Sequence, residues 1–161
     1  MKISLIGFMG CGKSTFGRLL AEEYDLNFFD LDNLIELGEG KTIDEIFTEV
    51  GEEGFRDLET LYLKQFETKD KFILSCGGGT PCFNNNIEIL NTYSTTVYLD
   101  VEPSILTERI FNDKNRPLVK GKSLEDLKLF IAEKISIRKP FYDKAKITLK
   151  EVTLEQLKKL L

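Results

Sequence analysis

Gly7-Phe8-Met9-Gly10-Cys11-Gly12-Lys13-Ser14 follows the apolar run Ile3-Ser4-Leu5-Ile6 and opens a stretch of helical periodicity. The pattern is G-x-x-x-x-G-K-[ST], and strand–loop–helix is the context in which that pattern cradles phosphates. Glycines let the backbone turn so that successive N–H groups point inward at an anion. The N-terminus of the helix that follows adds a favourable field. In such a loop Lys13 reaches the β- and γ-phosphates of a nucleotide, and the Ser14 hydroxyl ligates Mg²⁺. Gly10, Cys11, Gly12 and Thr15 complete the expected ATP cradle. Cys11 occupies a variable position of the motif, so its thiol is incidental to the chemistry even at a helix N-terminus. The bland alternative, a glycine turn with a chance lysine, fails on the flanks.

Working outward, strand-like and helix-like patterns alternate along the whole chain. Short apolar runs predict strands at 3–6, 27–29, 72–75, 95–99 and 146–149. Between them, 3.6-residue spacing predicts helices at 15–24, 42–66, 84–90, 103–111 and 124–142. Phe16, Leu19, Leu20 and Tyr24 mark the first of these. Thr42 followed by Glu45 resembles a capping box, and Gly51 and Gly54 are expected to break the 42–66 stretch in two. Strand alternating with helix means βαβ units, hence a three-layer α/β/α, doubly wound, five-stranded parallel sheet. One polar segment, 112–123, carries Gly and Pro between two helices and reads as a mobile lid.

Composition limits the alternatives. With 161 residues, a single domain spanning 1–161 is expected. Lys+Arg number 22 against 27 Asp+Glu, a net charge of −5, which argues against nucleic acid as a partner. The chain has no histidine, so histidine bases, ligands and pH switches are excluded and carboxylates are left as the available base. Cys11, Cys76 and Cys82 lack zinc or CxxC spacing and read as reduced cytoplasmic thiols, the latter two small and at least half-buried. The run after Met1-Lys2 is too short for a secretion signal, and no run approaches a membrane span.

The phosphate loop alone would suit GTPases, motor ATPases and small-molecule kinases. Asn115-Arg116-Pro117-Leu118 does not match the base-reading N-K-x-D of GTPases. Further groups converge on a kinase. Asp30-Leu31-Asp32 puts two carboxylates where the second strand ends, the edge at which an open α/β sheet binds ligands. Phe55-Arg56-Asp57-Leu58-Glu59 follows two glycines, and Ser75-Cys76-Gly77-Gly78-Gly79-Thr80-Pro81 forms a second glycine turn. Arg116 lies in the lid segment, and Ile137-Arg138-Lys139-Pro140-Phe141-Tyr142 closes the last long helix.

Together, in this order and spacing, these residues resemble the shikimate kinase family up to Leu149. The resemblance implies a P-loop kinase that uses ATP with Mg²⁺ to phosphorylate the 3-hydroxyl of shikimate, acting as a cytoplasmic monomer. It implies that Asp32 holds the hydroxyl and accepts its proton, and that Asp30, with Ser14, serves the Mg²⁺. Arg56 and Arg138 would clamp the substrate carboxylate, with Gly77, Gly78 and Gly79 offering backbone donors. Phe47 and Phe55 would wall the ring within a substrate-binding helical segment of about 31–64. Arg116 would close on the transferring phosphoryl group, and Arg109 would stack on adenine. Two planar guanidiniums suit a carboxylate better than two lysines would.

Structural alternatives stand beside each role. Asp30 and Asp32 suit a helix cap; Arg56 and Glu59 a surface pair; Arg138 a helix-end cation; the glycines a plain turn. Asp100, ending the 95–99 strand, resembles a magnesium-side carboxylate, with capping of the helix at Pro103 its expected job. Gluconate kinase and nucleoside-monophosphate kinase are the rival enzymes, and an idle ATP-binding regulator the rival outside enzymes. One departure concerns adenine: the family's Arg/Asn/Pro-bearing loop is replaced here by Lys150-Glu151-Val152-Thr153.

Overall fold

The computed structural model describes residues 1–113, 120–150 and 152–160. Five strands, β1 (Lys2–Ile6), β2 (Phe28–Asp30), β3 (Phe72–Ser75), β4 (Thr95–Leu99) and β5 (Ile147–Leu149), pair in parallel in the order β2-β3-β1-β4-β5. The helices are α1 (Lys13–Glu23), α2 (Leu31–Glu39), α3 (Ile43–Lys64), α4 (Asn86–Tyr93), α5 (Pro103–Asn112), α6 (Leu124–Tyr142) and α7 (Leu154–Leu160). A short 3₁₀ turn covers Thr80–Cys82.

Alternating side chains of the buried strands feed two cores. Ile3, Leu5, Ile73, Val97 and Leu99 pack with α1, α5, α6 and α7 on one face. Ile6, Phe72, Leu74 and Tyr98 pack with α2, α3, α4 and Tyr142 on the other. Both faces are covered, so the strands read as apolar runs. The predicted three layers are present.

Boundaries moved where local chemistry dictated. Asn84 and Asn85 adopt left-handed φ of 50° and 56°, so α4 starts at Asn86 rather than at 84. The Thr42–Glu45 capping box forms in both directions. Of the two expected breaks in α3, only Gly51 leaves helical geometry, at φ 70°. Gly54 stays helical and packs closely on Val50, which overturns its assignment as a breaker. The helix α7 was not foreseen. Its N-terminal Thr153 accepts from Gln156 N at 3.2 Å, and its Leu157 is fully buried. Lys158 pairs with Glu23 at 2.6 Å, tying α7 to α1.

Candidate active site

The sheet order changes direction at β1, whose neighbours are β3 and β4, and ligands of such sheets sit beyond the strand ends there. A cavity of about 450 Å³ opens at that edge, lined by the loop after β1, by Asp30 and Asp32 after β2, and by Ser75 to Gly78 after β3.

The loop after β1 is shaped for an anion. Gly12, at φ 103°, is the left-handed N-cap of α1 and supplies no side-chain cap. The first N–H groups of α1 are therefore left for a ligand. Lys13 is buried, its Nζ donating to Gly7 O at 2.9 Å and Phe8 O at 3.1 Å. Gly10, Gly12, Lys13, Ser14 and Thr15 line the cavity. Cys11 does not: its thiol is buried in the core and its N–H bonds Phe8 O at 3.2 Å. Arg109 reaches the loop's outer side, donating to Gly10 O at 3.1 Å, and stands at the cavity mouth.

Oxygen groups gather on the opposite wall. Ser14 Oγ donates to Asp30 Oδ2 at 2.8 Å and lies 3.4 Å from Ser75 Oγ. Asp30 also N-caps α2, accepting from Asn33 N, so capping and site placement coincide in one residue. This all-oxygen set suits Mg²⁺, which binds through few protein ligands and keeps its waters and substrate phosphates. Among the described residues no dedicated cluster of metal-ligating side chains exists. Asp32 sits in the first turn of α2, where burial, then Asp30 and Glu59, push its carboxyl up from 3.8 to about 6 despite the pull of Lys13.

The glycine turn after β3 has its carbonyls occupied from behind. Gly77 O accepts from Thr80 N, Gly78 O from the Tyr142 hydroxyl, Gly79 O from Cys82 N, and Thr80 O from Asn86 Nδ2. The N–H groups of Gly77, Gly78 and Gly79 bond no other group among the described residues. Carbonyls tied down and amides left over make an anion-facing nest. A Cβ on Gly79 would lie 2.6 Å from Arg56 Nη2, and one on Gly78 would lie 3.3 Å from Arg138 Nη1. Arg56 and Arg138 therefore flank adjacent glycines. Both lower the Cys82 thiol against the burial that pushes it up to about 11.

Arg56 is held by its neighbours. Its Nη1 donates to Glu59 at 2.8 Å, and its guanidinium lies over Phe83 at 4.3 Å and near Phe55 at 5.4 Å. Glu59 is buried, so the pair is no surface ion pair. Glu59 also accepts from Thr80 Oγ1, and Asn86 links Thr80 O to Thr60 Oγ1. Sequence reasoning missed Glu59 as a support, gave no role to Thr80 and Tyr142 within the motifs that contain them, and missed Asn86. Phe47 and Phe55 stack at 4.5 Å beside Arg56 as an apolar wall. Asp100 accepts from the Tyr98 hydroxyl at 2.9 Å. It neither lines the cavity nor caps α5, whose N-cap is Glu102, so its expected capping role is overturned. Arg116 and half of the expected lid, residues 114–119, lie outside the described residues.

A phosphate loop with its lysine, facing an acidic pair and a glycine turn across the edge of an open parallel sheet, defines a P-loop small-molecule kinase. Residues 9–160 match the family model described as shikimate kinase, and the chain belongs to the shikimate kinase family. It is 46% identical over 160 residues to a shikimate kinase of Phocaeicola vulgatus, covering 99% of this chain and 91% of that one. A 1.7 Å crystal structure of shikimate kinase from Bacteroides thetaiotaomicron superposes with a TM-score of 0.90 at 36% identity, over 98% of this chain and 96% of that one. The Acinetobacter baumannii enzyme in complex with shikimate matches at TM-score 0.86 and 34% identity, over 98% and 90%.

Proposed function

We propose that the protein transfers the γ-phosphoryl group of ATP to the 3-hydroxyl of shikimate. The observation that carries this reading is Asp32, which lines the same cavity as the phosphate loop while two guanidiniums flank the neighbouring glycine turn. A carboxylate pushed to about 6 is ionised at neutral pH yet basic enough to take a hydroxyl proton. Arg56, Arg138 and the amides of Gly77 to Gly79 receive the acceptor's carboxylate, with Phe47 and Phe55 along the ring. Lys13 exchanges its loop carbonyls for phosphate oxygens when the nucleotide enters. Mg²⁺, held from Ser14 and from Asp30 through water, would neutralise the charge that phosphoryl transfer spreads over the oxygens. Arg109 faces adenine, and Arg116, though outside the described residues, keeps the phosphoryl-facing role that the family resemblance implies.

The groups named here all lie within residues 1–161, which supports a single kinase domain, and the reading takes it to work as a monomer. No helix among the described residues is long and apolar enough to cross a membrane. Three free thiols support a reducing, cytoplasmic setting.

A coupled assay of ADP release with shikimate, gluconate and CMP in parallel tests the assignment. Turnover with shikimate alone is expected. Turnover with gluconate or CMP instead, or ATP binding without turnover on any acceptor, would overturn it. The clamp has its own test in Gly79→Ala. Gly79 has an ordinary φ of −89°, so alanine strains no backbone, but its Cβ meets an Arg56 pinned by Glu59 and Phe83. Shikimate KM is expected to rise about 10- to 100-fold, the loss of one charge-assisted contact, with ATP KM unchanged. An unchanged shikimate KM would remove Arg56 from the acceptor site.

A further inference from the structure

Tyr142 and Arg138 stand four residues apart on α6, so both side chains leave the same helix face. Both meet Gly78. The Tyr142 hydroxyl donates to Gly78 O at 2.5 Å, and Arg138 Nη1 lies 3.3 Å from where a Gly78 Cβ would be. Tyr142 is fully buried, and its ring stacks on Tyr98 at 4.9 Å between centroids. Burial and this ring contact leave the Tyr142 hydroxyl little room to swing.

A peptide unit is planar and trans, so its C=O and the following N–H point in opposite directions. Holding Gly78 O from behind therefore aims the Gly79 N–H forward, beside the Arg56 guanidinium that flanks Gly79. We propose that Tyr142 is a positioning residue of the acceptor site: it locks α6 to the glycine turn so that Arg138, Arg56 and the Gly79 amide face one carboxylate. This rests on the assignment of the site to shikimate given above. The other carbonyls of the turn are held by the turn itself or by Asn86, on α4. Tyr142 is the link that brings in the helix carrying Arg138.

The test is steady-state kinetics of the full chain as Tyr142→Phe, with Tyr98→Phe as control. Tyr98→Phe also deletes a buried hydroxyl bond, yet keeps the ring that braces Tyr142. Tyr142→Phe is expected to raise shikimate KM about 5- to 10-fold, with kcat and ATP KM within about twofold of wild type. Tyr98→Phe is expected to leave all three constants near wild type. In an Arg138→Ala background the Tyr142→Phe effect should shrink, because the group being aimed is gone. An unchanged shikimate KM in Tyr142→Phe, equal shifts of all constants in both tyrosine variants, or strict additivity with Arg138→Ala would each overturn the proposal. Wild-type protein that does not phosphorylate shikimate would instead overturn the underlying site assignment.

Discussion

Lys13→Met is expected to abolish phosphoryl transfer while the protein stays folded. Lys13 sits at the N-terminal end of α1 with its ammonium on the carbonyls of Gly7 and Phe8, within the loop that would receive the phosphates. Among the described residues no other lysine lines the cavity, and Arg109, which does, is engaged with Gly10 O. Removing one preorganised donor from a developing anion typically costs about 10²–10³ in kcat, and a full cation at the γ-phosphate is worth at least that. The fold loses two donor bonds to loop carbonyls and keeps the apolar stem's packing. Turnover by the coupled assay and a urea melt decide the matter together. Near-normal turnover would sink the phosphate-loop assignment, and collapse of the melt would mean that Lys13 serves structure first.

Asp32→Asn is expected to reduce kcat by about 10²–10⁴, the range for a lost general base, with shikimate affinity changing less. The same substitution should stabilise the metal-free fold. Burial, Asp30 and Glu59 raise Asp32 from 3.8 to about 6. Between those pH values the folded chain holds a proton that the unfolded chain releases, so wild-type stability falls as pH rises through that window. Above pH 6 the folded protein carries a disfavoured carboxylate that asparagine lacks. The variant's advantage should be absent near pH 4, grow through pH 6 and level off above it at no more than about 3 kcal/mol. Urea melts of both proteins at pH 4 and 7.5, with chelator present, measure it. A difference that does not change with pH would refute the electrostatic account. If Asp30→Asn is instead catalytically worse and Asp32→Asn mild, the two carboxylates exchange roles.

The frame of this molecule was readable because its signals are local. The glycine-lysine loop, the strand runs and the Thr42–Glu45 box each complete their pattern within a few residues. Helix α7 had such a signal too, Thr153 with Gln156 ahead of Leu157, but it is short and lies beyond the stretch that the family resemblance covered. What stayed illegible is what joins distant segments. Glu59 and Thr80 are 21 residues apart, and Tyr142 and Gly78 are 64 apart. No period or motif announces such a bond. Asp100 shows the converse: its place before a helix suggested a cap, but the hydroxyl of Tyr98 two residues earlier claimed it.

The glycine turn has a consequence for inheritance. Three of the donors proposed to face the acceptor are main-chain amides, which every residue except proline retains, so no ordinary codon change deletes them. Mutation can only crowd them or let them drift. The heritable part of recognition then resides in the side chains that hold the turn from behind, Tyr142 and Asn86, and in Thr80 with its buried partner Glu59. A lineage changing its acceptor would be expected to show replacements at that rear scaffold as well as at the two arginines in front.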